Sequence, residues 1–138
     1  MRVFLDANVL VSVLNKEYPL FPNSSRILSL ADKPGFELYT SPICLAIAFY
    51  FSEKKGGTDL AKKKIEILSS KLKSTTVDQE VVSLTATDVR VRDFEDGLEY
   101  YSALNSSCEF IITEDHNRFY FSDLPVLTCD QFMKEKLF

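Results

Sequence analysis

Short runs typical of strands alternate with helical segments along this 138-residue chain, and this alternation restricts its fold more than any other feature. The predicted strands are "RVFL", "FELYT", "STTVD", "EFIIT" and "PVLT". Helical spacing and caps predict helices over residues 7–16, from near Pro22, from the Ser41 cap to about Lys54, and over 58–73, 79–87 and 94–105, with a short helix at the end. This order predicts a parallel sheet with helices on both faces.

The length and composition are those of one globular domain, taken here as residues 1–138. Apolar residues make up 46% and charged residues 26%, both ordinary values. The net charge of -4 excludes a general electrostatic attraction to nucleic acid or to an anionic membrane. Binding of a polyanion would therefore require a local basic patch or bound cations.

The cysteines and the longest apolar run indicate a cytoplasmic protein without a membrane segment. Cys44, Cys108 and Cys129 match neither a zinc-binding spacing nor a paired disulfide framework. The longest apolar run covers nine residues, 43–51, whereas a membrane-spanning helix needs about 20. This run has no polar stripe, so we expect its helix to be buried on most sides, by the core or by a partner subunit.

Three carboxylates are predicted to converge at one edge of the sheet. Asp6 directly follows "RVFL" and Asp115 follows "FIIT" by two residues, so both lie at the carboxyl edge. On the helix 94–105, the polar residues Glu95, Glu99, Ser102 and Ser106 are predicted to form the solvent stripe, which turns Asp96 toward the protein. Asn8 and Thr113 lie beside these acids. Carboxylates held close together repel one another, and Mg²⁺ or Mn²⁺ would remove that conflict.

Each of these residues also has a purely structural interpretation. Asp6 and Asn8 are good caps for the helix that follows. Asp96 in the first turn of its helix complements the helix dipole, and Asp115 in "TEDHN" suits a turn. Only their agreement on one edge of the sheet favours a functional site.

The segments "FLDANVLV", "LYTSPICLAIAFYF", "DFEDGLEYYSAL" and "IITEDHNRF" together resemble the PIN domains, including the VapC-type toxins of bacterial toxin–antitoxin pairs. The resemblance runs from about Val3 to Thr128. It implies a three-layer α/β/α sandwich with a central parallel sheet and a Mg²⁺- or Mn²⁺-dependent ribonuclease with four acids. Asp6, Asp96 and Asp115 match three of those acids as catalytic metal ligands, and Asn8 and Thr113 match the polar residues that support them. Ile47 stands where the family has its second acid.

The function that the resemblance implies is endonucleolytic cleavage of single-stranded RNA by a toxin, weakened by the missing acid. Its partners would be RNA, an antitoxin protein and a second copy of the chain. A catalytically degenerate PIN domain that binds RNA or a protein is the alternative. An aspartyl-phosphate phosphatase is less favoured, because such an enzyme needs a second Asp where Asn8 stands.

The segment 54–73 contains seven lysines on an otherwise acidic protein. Lys62, Lys63 and Lys73 are predicted to oppose the apolar stripe of a helix. They form either an ordinary solvated face or a patch that contacts RNA phosphates.

Overall fold

A computed structural model describes residues 1–137, and one sheet of five parallel strands lies at the centre of this part of the chain. The strands are β1 (Arg2–Leu5), β2 (Glu37–Thr40), β3 (Lys73–Ser74), β4 (Phe110–Ile112) and β5 (Val126–Leu127), in the order β3-β2-β1-β4-β5. Val3 of β1 pairs with Leu38 on one side and with Phe110 on the other. The predicted parallel sheet is confirmed.

Seven helices lie between and after the strands within the described residues. They are α1 (Ala7–Leu14), α2 (Phe21–Ser29), α3 (Pro42–Gly56), α4 (Thr58–Lys71), α5 (Gln79–Thr87), α6 (Phe94–Asn105) and α7 (Cys129–Lys136). The Ser41 hydroxyl accepts a hydrogen bond from the Cys44 backbone N–H, and Asp93 caps α6 in the same way through the Asp96 N–H. The predicted helix over 58–73 is two residues too long, because Lys73 belongs to β3.

The connections place the helices on both faces of the sheet. The chain moves outward from β1 through β2 to β3 and then returns across the sheet to β4. Since parallel crossovers are right-handed, the helices before β3 and those between β3 and β4 lie on opposite faces. Packing agrees with this arrangement, since α3 contacts α1 and α4, whereas α5 contacts α6. The fold is the three-layer α/β/α sandwich that the resemblance implied.

The centre of the sheet fixes the position of the site. Val3, Phe4 and Leu5 of β1 are buried, as a central strand covered on both faces requires. The strand order reverses between β1 and β4, and ligands of open parallel sheets bind at the carboxyl edge near such a reversal. Asp6 and Thr113 follow these two strands, and the Asp6 backbone N–H donates to the Ile112 carbonyl at 3.0 Å.

The helix α3 is less buried than its apolar sequence predicted. Only Cys44, Ala48 and Ser52 form a fully buried stripe, while Tyr50 is 51% exposed and Phe51 is 45% exposed. The chain's own core therefore covers only part of α3, and its burial by a partner subunit stays a prediction. None of the described helices is both long and apolar enough to cross a membrane.

Candidate metal centre

Asp6 uses its two carboxylate oxygens for two different purposes. Oδ1 accepts a hydrogen bond from the Ala7 backbone N–H at 2.7 Å, which caps α1. Oδ2 accepts one from the Thr113 hydroxyl and one from Arg118 Nη1, both at 2.7 Å. The structural interpretation of Asp6 as a cap is thus correct but incomplete, because the second oxygen faces a cluster of polar groups from other elements.

Thr113 joins three parts of the site through one hydroxyl group. The hydroxyl donates to Asp6 and accepts from the Asn8 side-chain amide at 3.0 Å and from the Asp115 backbone N–H at 3.1 Å. The Asn8 carbonyl oxygen accepts from the Glu114 N–H at 3.3 Å. These bonds tie the start of α1 to the loop after β4. Asp115 itself is exposed and precedes the 3-10 turn His116–Phe119, which carries Arg118.

The helix α6 contributes two acids rather than the one that the sequence predicted. Asp96 is 5% exposed, and Glu99, three residues later on the same face, is 0% exposed. The prediction that Glu99 and Ser102 belong to the solvent stripe is wrong, since Ser102 is also buried and bonds Thr75 at 2.9 Å. The side of α6 that is open to solvent carries Glu95, as predicted, together with Phe94 and Leu104.

The guanidinium of Arg118 contacts three buried carboxyl groups. Its Nη1 bonds Asp6 Oδ2 at 2.7 Å, and its Nη2 bonds Asp96 Oδ1 at 2.5 Å and Glu99 Oε2 at 3.0 Å. Burial opposes its charge, but the hydrogen bonds with Asp96 and the charges of Asp6 and Glu99 raise the pKa of Arg118 overall. The three acids therefore converge on one point, and a cation occupies that point.

The pKa values of the buried acids reflect their burial first and the nearby negative charge second. Burial, followed by the charge of Asp6, raises the pKa of Glu99 to about 10. Burial also raises the pKa of Asp96, against the lowering effect of Arg118. Burial raises the pKa of Cys44 as well, so its thiol remains protonated and donates to Glu99 Oε1 at 2.8 Å. One arginine does not fully compensate these acids.

A cavity of about 430 Å³ opens above the cluster. Its wall includes Asn8, Ile47, Asp96 and Arg118, together with Ala7, Val11, Glu17, Phe51, Asp93 and Glu95. Asp6 and Glu99 are fully buried and do not form part of this wall. The Arg118 side chain thus lies between the cavity and the two deepest acids.

The residues present fit a hard divalent cation. Ligand atoms of Asp6, Cys44 and Glu99 lie within 4.8 Å of one another, and Asp96 joins them through Arg118. Carboxylate oxygens suit magnesium and manganese, whereas a protonated thiol does not suit a soft metal. The buried acidic cluster can hold a metal ion if the guanidinium moves aside. The structure therefore brings Asp6 together with Asp96 and Glu99, and it leaves Asp115 exposed at the edge.

The lysines do not form the single helical face that was predicted. Lys62 and Lys63 are exposed on α4. Lys73 lies in β3, where its ammonium group pairs with Glu37 at 2.5 Å.

Comparison with known families and proteins agrees with this fold. A family model described as PIN domain matches residues 2–117. This chain belongs to the PIN domain family and is of the VapC type. Ribonuclease VapC1 of Aquifex aeolicus (strain VF5) is 31% identical over 135 residues, which cover 95% of this chain and 92% of that protein.

Solved structures share the fold at low sequence identity. VapBC-1 from nontypeable Haemophilus influenzae matches with a TM-score of 0.72 at 17% identity, over 94% of this chain and 99% of that one. VapBC2 from Rickettsia felis, bound to a DNA fragment from their promoter, matches with a TM-score of 0.69 at 19% identity, over 92% and 97%. The sarcin-ricin loop cleaving toxin VapC20 of Mycobacterium tuberculosis matches with a TM-score of 0.66 at 15% identity, over 85% of this chain and 92% of that one.

Proposed function

We propose that this protein is a metal-dependent endonuclease that cleaves single-stranded RNA, and that it acts as the toxin of a toxin–antitoxin pair. The observation that carries the proposal is the convergence of the buried acids Asp6, Asp96 and Glu99 on one cationic group at the strand-order reversal. The 31% identity to a protein named as a ribonuclease supports the reaction.

In this proposal, Asp6, Asp96 and Asp115 hold Mg²⁺ or Mn²⁺. When bound, such a cation supplies an activated water and offsets charge on the phosphoryl oxygens. Asn8 and Thr113 orient the acids, because the Thr113 hydroxyl bonds both the Asp6 carboxylate and the Asp115 backbone. The cavity lined by Asn8 and Asp96 receives the phosphodiester.

The proposed partners follow from the similarity of this chain to VapC-type proteins. Two structural neighbours are VapBC structures, which supports a small antitoxin protein as the partner of this chain. RNA contacts by the exposed Lys62 and Lys63 stay a prediction, as does a homodimer. We expect Lys73 to contribute less to RNA binding than predicted, because its ammonium group already pairs with Glu37. A cytoplasmic location is part of this proposal.

Cleavage of a labelled single-stranded RNA by the purified protein tests the function. We expect products with Mn²⁺ or Mg²⁺, none after addition of a chelator, and none with Asp6→Asn. Asn preserves the cap of α1 but removes the charge of the best-placed ligand. Cleavage that persists in chelator would contradict the proposal, as would full activity of Asp6→Asn.

A second candidate is a PIN domain that binds RNA or a protein without cleaving. Arg118 favours it, because its guanidinium already contacts the acids, and Ile47 offers no ligand in the cavity wall. In the same assay this candidate predicts RNA binding without products at any metal concentration.

A further inference from the structure

The wall of the cavity lacks an acid on α3. Ile47 lies there beside Asp96 and Arg118, and it is partly buried. An isoleucine offers neither charge nor a ligand atom. If the centre needs a fourth carboxylate, that group must come from another element.

Glu99 of α6 is positioned to supply it. It follows Asp96 by three residues, so both side chains leave α6 on one face. Its Oε2 lies 3.0 Å from Arg118 Nη2, and one of its oxygens is within 4.8 Å of a carboxylate oxygen of Asp6. Glu99 therefore reaches the point where the other two buried acids meet.

The burial of Glu99 needs an explanation beyond packing. A fully buried glutamate is costly unless it is paired, and glutamine or leucine of similar size would fill this space without charge. Asp6, Asp96 and Glu99 here share the single positive charge of Arg118. A divalent cation would offset the charge of all three groups in their ionised form.

We propose that Glu99 is the fourth carboxylate of the metal centre and that it replaces, from α6, the acid that α3 lacks at Ile47. This assignment rests on the proposed function, since it assumes that the centre binds a divalent cation. With this assignment, the ligands of the centre come from the residue that joins β1 to α1, from α6 and from the loop after β4.

Titration calorimetry with MnCl₂ at neutral pH tests the assignment on wild type, Glu99→Gln, Glu66→Gln and Asp6→Asn. Glu66 is an exposed glutamate of α4 and serves as the matched control. We expect the Mn²⁺ dissociation constant to rise at least about tenfold in Glu99→Gln and to stay unchanged in Glu66→Gln. The gain in melting temperature on adding Mn²⁺ should shrink in the same variant.

The outcomes separate the two proposals. If Asp6→Asn loses Mn²⁺ binding while Glu99→Gln keeps it, the assignment of Glu99 is overturned and the proposed function stands. If the wild type does not bind Mn²⁺, both fail. Should Glu99→Gln not fold, Glu99→Asp takes its place, because it keeps the charge but withdraws the ligand atoms. An unchanged affinity in that variant would overturn the assignment as well.

Discussion

At the scale of single residues, Arg118 supplies the positive charge that partly balances the buried acids of the site. It contacts Asp6, Asp96 and Glu99, and its side chain separates the cavity from the deepest acids. A divalent cation that binds to these carboxylates must displace the guanidinium from at least some of them. The arginine therefore competes with the metal, and the affinity for the metal contains the free energy of breaking these ion pairs.

Replacement of Arg118 by Gln should raise the affinity for Mn²⁺ by about tenfold, because the competing cation is removed. Without metal, the same variant should melt at a lower temperature, since its acids lose their counter-charge. Calorimetry and melting curves with and without Mn²⁺ measure both effects. Arg26→Gln, an exposed arginine of α2, is the control. Weaker Mn²⁺ binding by Arg118→Gln would show that the arginine supports the metal centre instead.

The residues differ in how far the sequence reveals them. Asp6 is predictable, because a carboxylate directly after a buried strand falls at the carboxyl edge of a parallel sheet. Glu99 was missed because polar residues on a helix were assumed to face solvent. The i, i+3 spacing of Asp96 and Glu99 was the available signal. The sequence offers no such signal for Arg118, because its ion pair with Asp6 joins residues that are 112 positions apart.

At the scale of elements, a carboxylate outside the site links the two helices between β3 and β4. Asp88, at the end of α5, accepts hydrogen bonds from the Tyr101 hydroxyl of α6 at 2.6 Å and from Arg90 Nη2 at 3.0 Å. The bonds from Arg90, and then that from Tyr101, hold the pKa of Asp88 well below its usual value. This contact stabilises the position of α6, which carries Asp96 and Glu99.

Asp88→Asn should lower the melting temperature by a few degrees at pH 7 and have less effect in acid. Because the pKa of Asp88 is lowered in the folded state, its ionised form stabilises the fold above the ordinary value of 3.8, and this stabilisation is lost as the pH falls below it. Melting curves of both proteins from pH 7 down to pH 3 measure the difference. Asp59→Asn, at an exposed position of α4, is the control. If the melting temperatures of the wild type and Asp88→Asn differ as much in acid as at pH 7, this account is contradicted.

The elements themselves were predicted best where a cap marks them. The α6 bounds, Phe94–Asn105, agree with the prediction because the Asp93 cap is a local signal. The end of α4 was not predicted, because pairing of Lys73 with Tyr39 in β2 is a tertiary interaction that overrides the helical pattern. How far the chain's own core covers α3 was not predicted for a similar reason, since an apolar sequence does not reveal which of its faces is covered.

At the scale of the whole molecule, the alternation of strands and helices was enough to predict a parallel sheet with helices on both faces. The order of the strands was not predicted from the pattern, yet it decides the site. β1 and β4 are neighbours only because the chain returns across the sheet after β3, and this return brings Asp6 beside Thr113 and Arg118. The site therefore depends on the topology as much as on the acids.

The anomalous difference density of a crystal grown with MnCl₂ tests the central claim most directly. We expect a manganese peak among the carboxylates of Asp6, Asp96 and Glu99 and within reach of Asp115, with the Arg118 guanidinium moved away from at least one of the three buried acids. Crystals of Asp6→Asn grown in the same way are the control and should show a weaker peak or none. A wild-type map with no peak at these acids, and with Arg118 still paired to all three, would contradict a metal centre at this site.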